Sequence, residues 1–160
     1  MRIENERFRL VAEDDRQKIS ALKKALPEWQ NLSERNWYPQ GMPDRMSFTI
    51  QFKEQTAGVV ELVNLRWFNR KAEITIWILP DFRGQGLGQM ALSQIIRLSF
   101  EQLNLHRLEA EVYEFNAPAR NLFTKAGFVL EGKLREAKYK DGKYYDILRF
   151  GLLKKEWKRK

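Results

Sequence analysis

Apolar positions divide the chain into short segments with two different periods. Phe8 and Leu10 alternate with polar neighbours, the pattern of a strand with one buried side. Asp14 or Asp15 then stands where a helix cap belongs, ahead of Ile19, Leu22 and Leu26, and Pro27 ends that helix. The stretch from Trp29 to Pro43 has no regular period. Met46 to Phe52 alternates as a second strand, Lys53-Glu54-Gln55 makes a hairpin connection, and Thr56 to Asn64 follows as a third. Asn69-Arg70 turns the chain into Ala72 to Leu79, completing a three-stranded meander.

The period changes after Leu79. Pro80-Asp81-Phe82 forms a turn, Arg83-Gly84-Gln85-Gly86-Leu87-Gly88 follows, and an amphipathic helix begins at once. Gln89, Ser93, Arg97, Glu101 and Asn104 form its polar stripe, with Leu92, Ile95, Ile96, Ser99 and Leu103 on the other side. Leu108 to Val112 reads as a short strand. A helix from about Pro118 to Lys125 ends at Gly127, a candidate C′ glycine. Phe128 to Lys138 and Tyr144 to Leu153 close the chain as an antiparallel pair around Asp141-Gly142. The order β-α-α-β-β-β-α-β-α-β-β predicts an α/β domain with a mixed sheet.

Composition narrows the class. At 160 residues, 43% hydrophobic and 12% aromatic, residues 1–160 read as one domain able to bury a core. There are no cysteines and one histidine, so a thiol nucleophile, a disulfide and a zinc–thiolate site are excluded and no metal is expected. No apolar run reaches the ~18 residues of a membrane helix, and the first residues lack the apolar stretch of a signal peptide. The expected location is cytoplasmic. The net charge of +8 suggests nucleic acid at first sight, but the tail at residues 154–160 carries half of it. Such a tail is ordinarily a solvated end, with ribosome or RNA contact as its functional alternative.

Strand, glycine-rich turn and helix together make an anion site, because such a turn bares backbone N–H groups at the positive end of a helix dipole. A Walker A loop needs Lys and then Ser or Thr after its last glycine, and Gly88 is followed by Gln89 and Met90. A dinucleotide fingerprint needs glycine at position 89. Arg-x-x-Gly-x-Gly at Arg83, Gly86 and Gly88 remains. It resembles the coenzyme A pyrophosphate loop of the GNAT N-acetyltransferases. The segment Asn116-Ala117-Pro118-Ala119-Arg120-Asn121-Leu122-Phe123-Thr124-Lys125-Ala126-Gly127-Phe128 is similar to the Asn-x-x-Ser/Ala-x-x-Leu-Tyr-x-Lys-x-Gly-Phe block of the same family. Glu131-Gly132, Arg135, Gly142, Tyr144, Asp146 and Glu156-Trp157 resemble the branch of ribosomal-protein and spermidine acetyltransferases. A bare strand-to-helix turn is the competing reading of the glycines.

The resemblance implies a mostly antiparallel mixed sheet flanked by helices and an acetyl-CoA-dependent transfer to a primary amine in a ternary complex. The acceptor would be a protein N-terminus, a polyamine, an amino sugar or another small amine. Expected coenzyme contacts are Ile76, Ile78, Arg83, Gly84, Gln85, Gly86, Leu87, Gly88, Asn116, Arg120 and Phe123. Main chain at Ile76 to Ile78 would pair with the pantetheine arm, and a backbone N–H near Ile78 would face the thioester oxygen. A Lys-like amine arrives protonated, with a pKa of about 10.4, and needs a base. Glu111 is the first choice, because Glu111-Val112 with Asn116 resembles the family's Glu-Val-x-x-x-Asn. Its alternative reading is a solvent-facing glutamate or an ion pair with Arg107 or Arg149. Glu73 and Glu109 come next, then Glu114 and Asp146.

One position departs from the family. Phe123 stands where the tyrosine that protonates the leaving thiolate is expected, and a phenyl ring donates no proton. Tyr145, Tyr113, Tyr139, Tyr144 or a water are the substitutes. Trp29 reads as core, while Trp37 and Tyr38 stand equally as core or acceptor wall. A homodimer is the oligomer considered. A catalytically idle coenzyme-binding or nucleic-acid-associated module is the alternative function.

Overall fold

The computed structural model describes residues 2–5, 8–24 and 42–157. The end of the first helix, the expected second helix, Trp29, Trp37, Tyr38 and the last three tail residues lie outside them. The elements in chain order are β1 (Arg2–Asn5), β2 (Phe8–Ala12), α1 (Arg16–Lys24), β3 (Met46–Phe52), β4 (Gln55–Arg66), β5 (Lys71–Ile78), α2 (Leu87–Arg97), β6 (Arg107–Tyr113), α3 (Ala117–Lys125), β7 (Val129–Lys140) and β8 (Lys143–Leu153). Among the described residues eight strands form one sheet in the order β1-β2-β3-β4-β5-β6-β8-β7. Only β5 and β6 run parallel; the other neighbours are antiparallel.

Local chemistry sets the boundaries. Asp15 caps α1, its Oδ1 accepting from Gln17 N at 2.8 Å and Lys18 N at 3.1 Å. Lys53 and Glu54 both take positive φ, 48° and 63°, and Asp141-Gly142 does likewise at 49° and 79°. Both pairs therefore make the two-residue turns that suit a right-twisted hairpin. Asn116 caps α3 by accepting from Ala119 N at 3.2 Å. At its other end Phe128 N bonds Phe123 O at 3.1 Å and Gly127 N bonds Thr124 O at 3.0 Å, with Gly127 at φ +94°. That is a Schellman closure, and a left-handed residue is what it requires.

Two features differ from the sequence reading. A further strand, β1, pairs with β2 from Arg2↔Val11 to Asn5↔Phe8. The long amphipathic helix also stops at Arg97 and widens into a π turn over Leu98–Gln102. Leu103 N reaches Leu98 O at 3.0 Å, five residues back, while the Ser99 hydroxyl donates to Ile95 O at 2.7 Å. A serine bonded to the preceding turn competes with the regular ladder, which opens the helix there.

The sheet has two unlike faces. Strand residues such as Leu62, Ile74, Leu108, Ala110 and Val112 pack with Leu87, Ala91, Leu92 and Ile95 of α2 and Phe123 of α3 in the main core. Alternation sends Glu61, Glu73, Thr75, Glu109, Glu111 and Tyr113 to the opposite face. Phe123 is only 3% exposed, edge-on to Phe128 at 5.1 Å and stacked with Phe150 at 6.3 Å. Phe123→Ala is therefore expected to lower stability by about 3–5 kcal/mol. Urea unfolding checks this: the midpoint drops while the slope with denaturant stays unchanged.

Candidate active site

β5 and β6 are neighbours for only three rungs, Lys71↔Arg107, Ala72↔Leu108 and Glu73↔Glu109. Beyond Glu73 each strand follows its outer partner. β5 stays on β4 to Gly58↔Ile78, and Leu79 N then bonds Ala57 O at 2.8 Å. β6 stays on β8 to Tyr113↔Ile147, and Glu114 N bonds Asp146 O at 3.1 Å. A fork opens between them. Ile74 to Ile78 and Ala110 to Tyr113 have no strand partner on their inner sides among the described residues. Exposed main-chain donors and acceptors of this kind suit an added extended chain.

The glycine turn stands at the open end of the fork. Gly84 and Gly86 take φ of +75° and +77°, and nothing lies within 4 Å of a Cβ placed on either. Gly86 caps α2, and the first bond into that helix runs from Met90 N to Gly86 O at 3.1 Å. The N–H groups of Leu87, Gly88 and Gln89 precede it, so the helix itself offers them no acceptor. Gly88 sits close to Ile78 and Leu122, where a Cβ would meet side-chain carbons at 3.7–3.8 Å. The turn is thereby seated between the end of β5 and α3. A cleft of about 610 Å³ continues from Gln89 along α2 past Ser93 and Arg97 to Lys125 and Trp157.

The expected coenzyme contacts divide into two sets. Ile76, Ile78, Arg83, Gly84, Gln85, Gly86, Leu87 and Gly88 line one side of the fork and its mouth. Arg83 Nε donates to Ile78 O at 3.0 Å, fixing the guanidinium beside the strand end. Asn116 and Arg120 begin α3 across the opening. Their polar atoms are partly engaged, Asn116 Oδ1 in the cap and Arg120 Nη1 on Glu114 O at 3.0 Å. Phe123 turns its ring into the core.

On the polar face the carboxylates carry cross-strand pairs. Glu109 accepts from Lys71 at 3.0 Å and from Arg107 Nε at 2.8 Å, and Arg107 reaches on to Glu131. Burial pushes the Glu109 carboxyl up, but the Arg107 and Lys71 bonds outweigh it and hold the group below the usual carboxylate range. Arg107 is raised, first by its bond to Glu131. Glu73 is 9% exposed, on the last shared rung, and accepts from Asn64 Nδ2 at 3.1 Å. Glu111 lies one alternation beyond Glu109, at the start of the fork, with Arg149 Nε 3.7 Å from its carboxylate. The ion pair considered from sequence is thus present, and its geometry is long and partly exposed.

Tyr145 packs edge-on against Phe115 at 5.0 Å and Tyr113 at 6.1 Å. Tyr113 itself stacks on Phe115 at 5.0 Å, and its hydroxyl is buried without a hydrogen-bond partner. Burial raises its pKa, with Asp141 and Tyr145 adding to the effect. This aromatic cluster and the Lys71–Glu109 and Arg107–Glu131 pairs escaped the sequence reading because they join residues far apart in the chain. Only the alternation along β6 signalled which of them share a face. Among the described residues no group of three or more acidic, His or Cys side chains is arranged to hold a metal, and no helix is long and apolar enough to cross a membrane.

Residues 6–129 match a family model described as an acetyltransferase (GNAT) domain. The chain is 38% identical over 101 residues to YdaF of Bacillus subtilis (strain 168), a ribosomal N-acetyltransferase by name, covering 63% of this chain and 55% of that protein. It is 34% identical over 100 residues to the spermidine N(1)-acetyltransferase of Vibrio cholerae, covering 62% and 58%. The chain thus spans little more than half the length of these two relatives. Mutant forms of the Vibrio cholerae spermidine/spermine N-acetyltransferase SpeG share the fold with a TM-score of 0.82 and 25% identity, over 96% of this chain and 97% of that one. A dodecameric spermidine N-acetyltransferase structure from the same organism gives a TM-score of 0.77 at 26% identity, over 94% and 95%.

The charged face generates a pH prediction. A carboxyl lowered by folding adds stability above its unfolded pKa of about 4.3, and that contribution disappears as pH falls through the folded value. Wild-type stability should therefore decline between roughly pH 5 and pH 3, and Glu109→Gln should flatten that decline. Urea midpoints measured across the range check it; equal slopes for the two proteins would remove Glu109 from the account.

Proposed function

The chain belongs to the GNAT acetyltransferase family, and we propose that it moves an acetyl group from acetyl-CoA directly to a primary amine. One observation carries the reading: a strand edge without a partner leads straight into a glycine turn whose helix-start N–H groups have no intrahelical acceptor. The first can take an extended, amide-bearing arm, and the second an anionic diphosphate. Both are features of acetyl-CoA, and the residues present fit it. The cleft continuing from Gln89 has volume for the nucleotide end.

In this reading Ile76 to Ile78 hold the arm through main chain, and Gly84 to Gly88 hold the diphosphate. A backbone N–H near Ile78 polarises the thioester carbonyl, a contact of a kind typically worth about 3 kcal/mol. Glu111 takes the proton from the arriving ammonium, with Glu73 deeper in the fork as the alternative base. The amine nitrogen bonds to the acetyl carbon, the carbon–sulfur bond breaks, and the sulfur leaves as thiolate or thiol. With a thiol pKa of about 8.5 the thiolate is a fair leaving group near neutral pH, so the absence of a hydroxyl at Phe123 is compatible with turnover. No cysteine exists to carry an acyl group, which fits direct transfer. The acceptors named for the relatives, ribosomal and polyamine, define the field of candidates, and self-association follows as a proposal from the dodecameric relative.

Thiol release from acetyl-CoA across a panel of amines tests the activity; tight CoA binding with no amine releasing thiol would leave a coenzyme-binding module instead. Glu111→Gln is expected to lower kcat/KM by about 10²-fold or more and to erase the acidic limb of the pH profile. An unchanged limb would transfer the base role elsewhere. Gly86→Ala puts a side chain on a left-handed residue, costing about 1–2 kcal/mol in the turn. It should weaken CoA binding in calorimetry, and unaltered affinity would displace the diphosphate from this loop.

A further inference from the structure

Charge around the fork is unevenly compensated. Each carboxylate described on its polar face has a partner. Glu61 is fully buried, accepts from Ser47 Oγ at 2.6 Å and lies 3.7 Å from Arg45. Glu73 holds Asn64, Glu109 holds Lys71 and Arg107, and Glu111 faces Arg149. Farther out, Glu114 and Asp146 share Lys133, at 3.0 and 3.3 Å.

The cations at the mouth are different. β7 and β8 run past the end of β6 as a hairpin, pairing Lys138↔Tyr145, Tyr139↔Tyr144 and Lys140↔Lys143. The side chains of Lys138, Lys140 and Lys143 form no hydrogen bond or ion pair within the described residues. Glu136 and Asp141, the acids of the same segment, pair with none of them. Lys140 and Lys143 stand directly opposite each other, an arrangement that repels and weakens a hairpin. Lys140 Nζ lies 5.9 Å from the rings of both Tyr113 and Phe115, so this charge borders the aromatic cluster that follows Glu111 along β6. Phe115 is 56% exposed, a large apolar surface left open beside unneutralised charge.

We infer that the acceptor amine belongs to an anionic molecule rather than to a polyamine. This rests on the acetyl-transfer reading and names the substrate class of that site. The negative groups of the acceptor meet Lys138, Lys140 and Lys143, its body packs on Phe115 and Tyr145, and its amine reaches Glu111. A polyamine brings further ammonium groups, which are best held by free carboxylates. Among the described residues the carboxylates on the polar face of the fork are engaged, and on the hairpin Lys138, Lys140 and Lys143 outnumber the unpaired Glu136 and Asp141, so the net charge there repels a polyamine. The shared chemistry is a primary amine on a carboxylate- or phosphate-bearing body, which an acidic peptide N-terminus and a small amino acid or aminophosphate both supply.

The test compares kcat/KM, with acetyl-CoA, for spermidine, an acidic peptide with a free N-terminus, a lysine-rich peptide of equal length, glutamate and phosphoethanolamine. An anionic acceptor should exceed spermidine and the basic peptide by about 10-fold or more, with the gap shrinking as salt screens the lysines. Which anionic arm leads tells peptide from small molecule. Lys140→Glu combined with Lys143→Glu should cut the anionic acceptor about 10-fold and raise the basic peptide, with CoA affinity unchanged as the folding control. Lys140→Gln with Lys143→Gln should fall between. Preference for spermidine in the wild type, or a ratio unmoved by charge reversal, overturns the inference. If no amine releases thiol, the acetyl-transfer reading fails separately. Anisotropy of a labelled acidic peptide in the presence of CoA then decides: binding lost on reversal supports an anionic ligand at the hairpin. Binding that is absent or unchanged, or equal binding of an amine-free RNA oligomer, overturns it.

Discussion

The divergence of β5 and β6 is the constraint on which the site depends. Two parallel strands would normally continue their ladder, since each unpaired buried N–H or C=O costs about 1–3 kcal/mol. Here the strands part after three rungs because each is more fully bonded outward. β5 remains registered with β4 to Ile78, and β6 with β8 to Tyr113. The opening is therefore held by two intact antiparallel ladders rather than by a flexible loop. A ligand that adds an extended arm completes hydrogen bonding that the fold leaves unfinished.

The same divergence sets what surrounds the opening. Because β5 ends beside Ala57 and Gly58, the chain must turn at once to return as α2, and left-handed Gly84 and Gly86 allow it. The helix start then lies next to the strand end, with Gly88 small enough to sit against Ile78 and Leu122. Across the opening, α3 begins at Asn116, whose side chain caps the helix. Below the fork, Lys71, Arg107 and Glu109 tie the two strands across the three rungs they share. Carboxylates that must remain charged there are stabilised by these cations, while Glu111, one step farther on, has only a long contact to Arg149. Proton transfer is better suited to a group that is not locked in a tight pair.

Much of this could be read from the chain because the informative signals are local. Glycine spacing after an apolar run, a cap residue ahead of α3 and a glycine after it each constrain a few consecutive residues, and the glycine turn, the start of α2 and both ends of α3 appear within a few positions of their expected places. The fork was implied only through family resemblance, since no single segment encodes the loss of a ladder. β1 was missed because Arg2–Asn5 is short and mostly polar, and its pairing with β2 supplies the structure that its own pattern lacks. The π turn was missed because one serine's bond to Ile95 O outweighs an otherwise regular helical period. Charge was the least legible property. Counting it along the chain pointed to the tail, whereas compensation depends on which side chains the sheet brings together.

That last point bears on how relatives should be used. Phe123 occupies a position where the family pattern places a hydroxyl, and its ring serves the core against Phe128 and Phe150. Adding an oxygen there would require a partner for a group buried among aromatic rings, so the phenyl ring is what the local packing favours. In the proposed reading the donor half of the site rests largely on main chain, which side-chain substitution hardly changes. The proposed acceptor half rests on side chains of β6, β7 and β8, where a few lysines can change the sign of the mouth. On this reading, kinship of fold bears more on the acyl donor than on the acceptor, and the acceptor has to be argued from the side chains at the mouth.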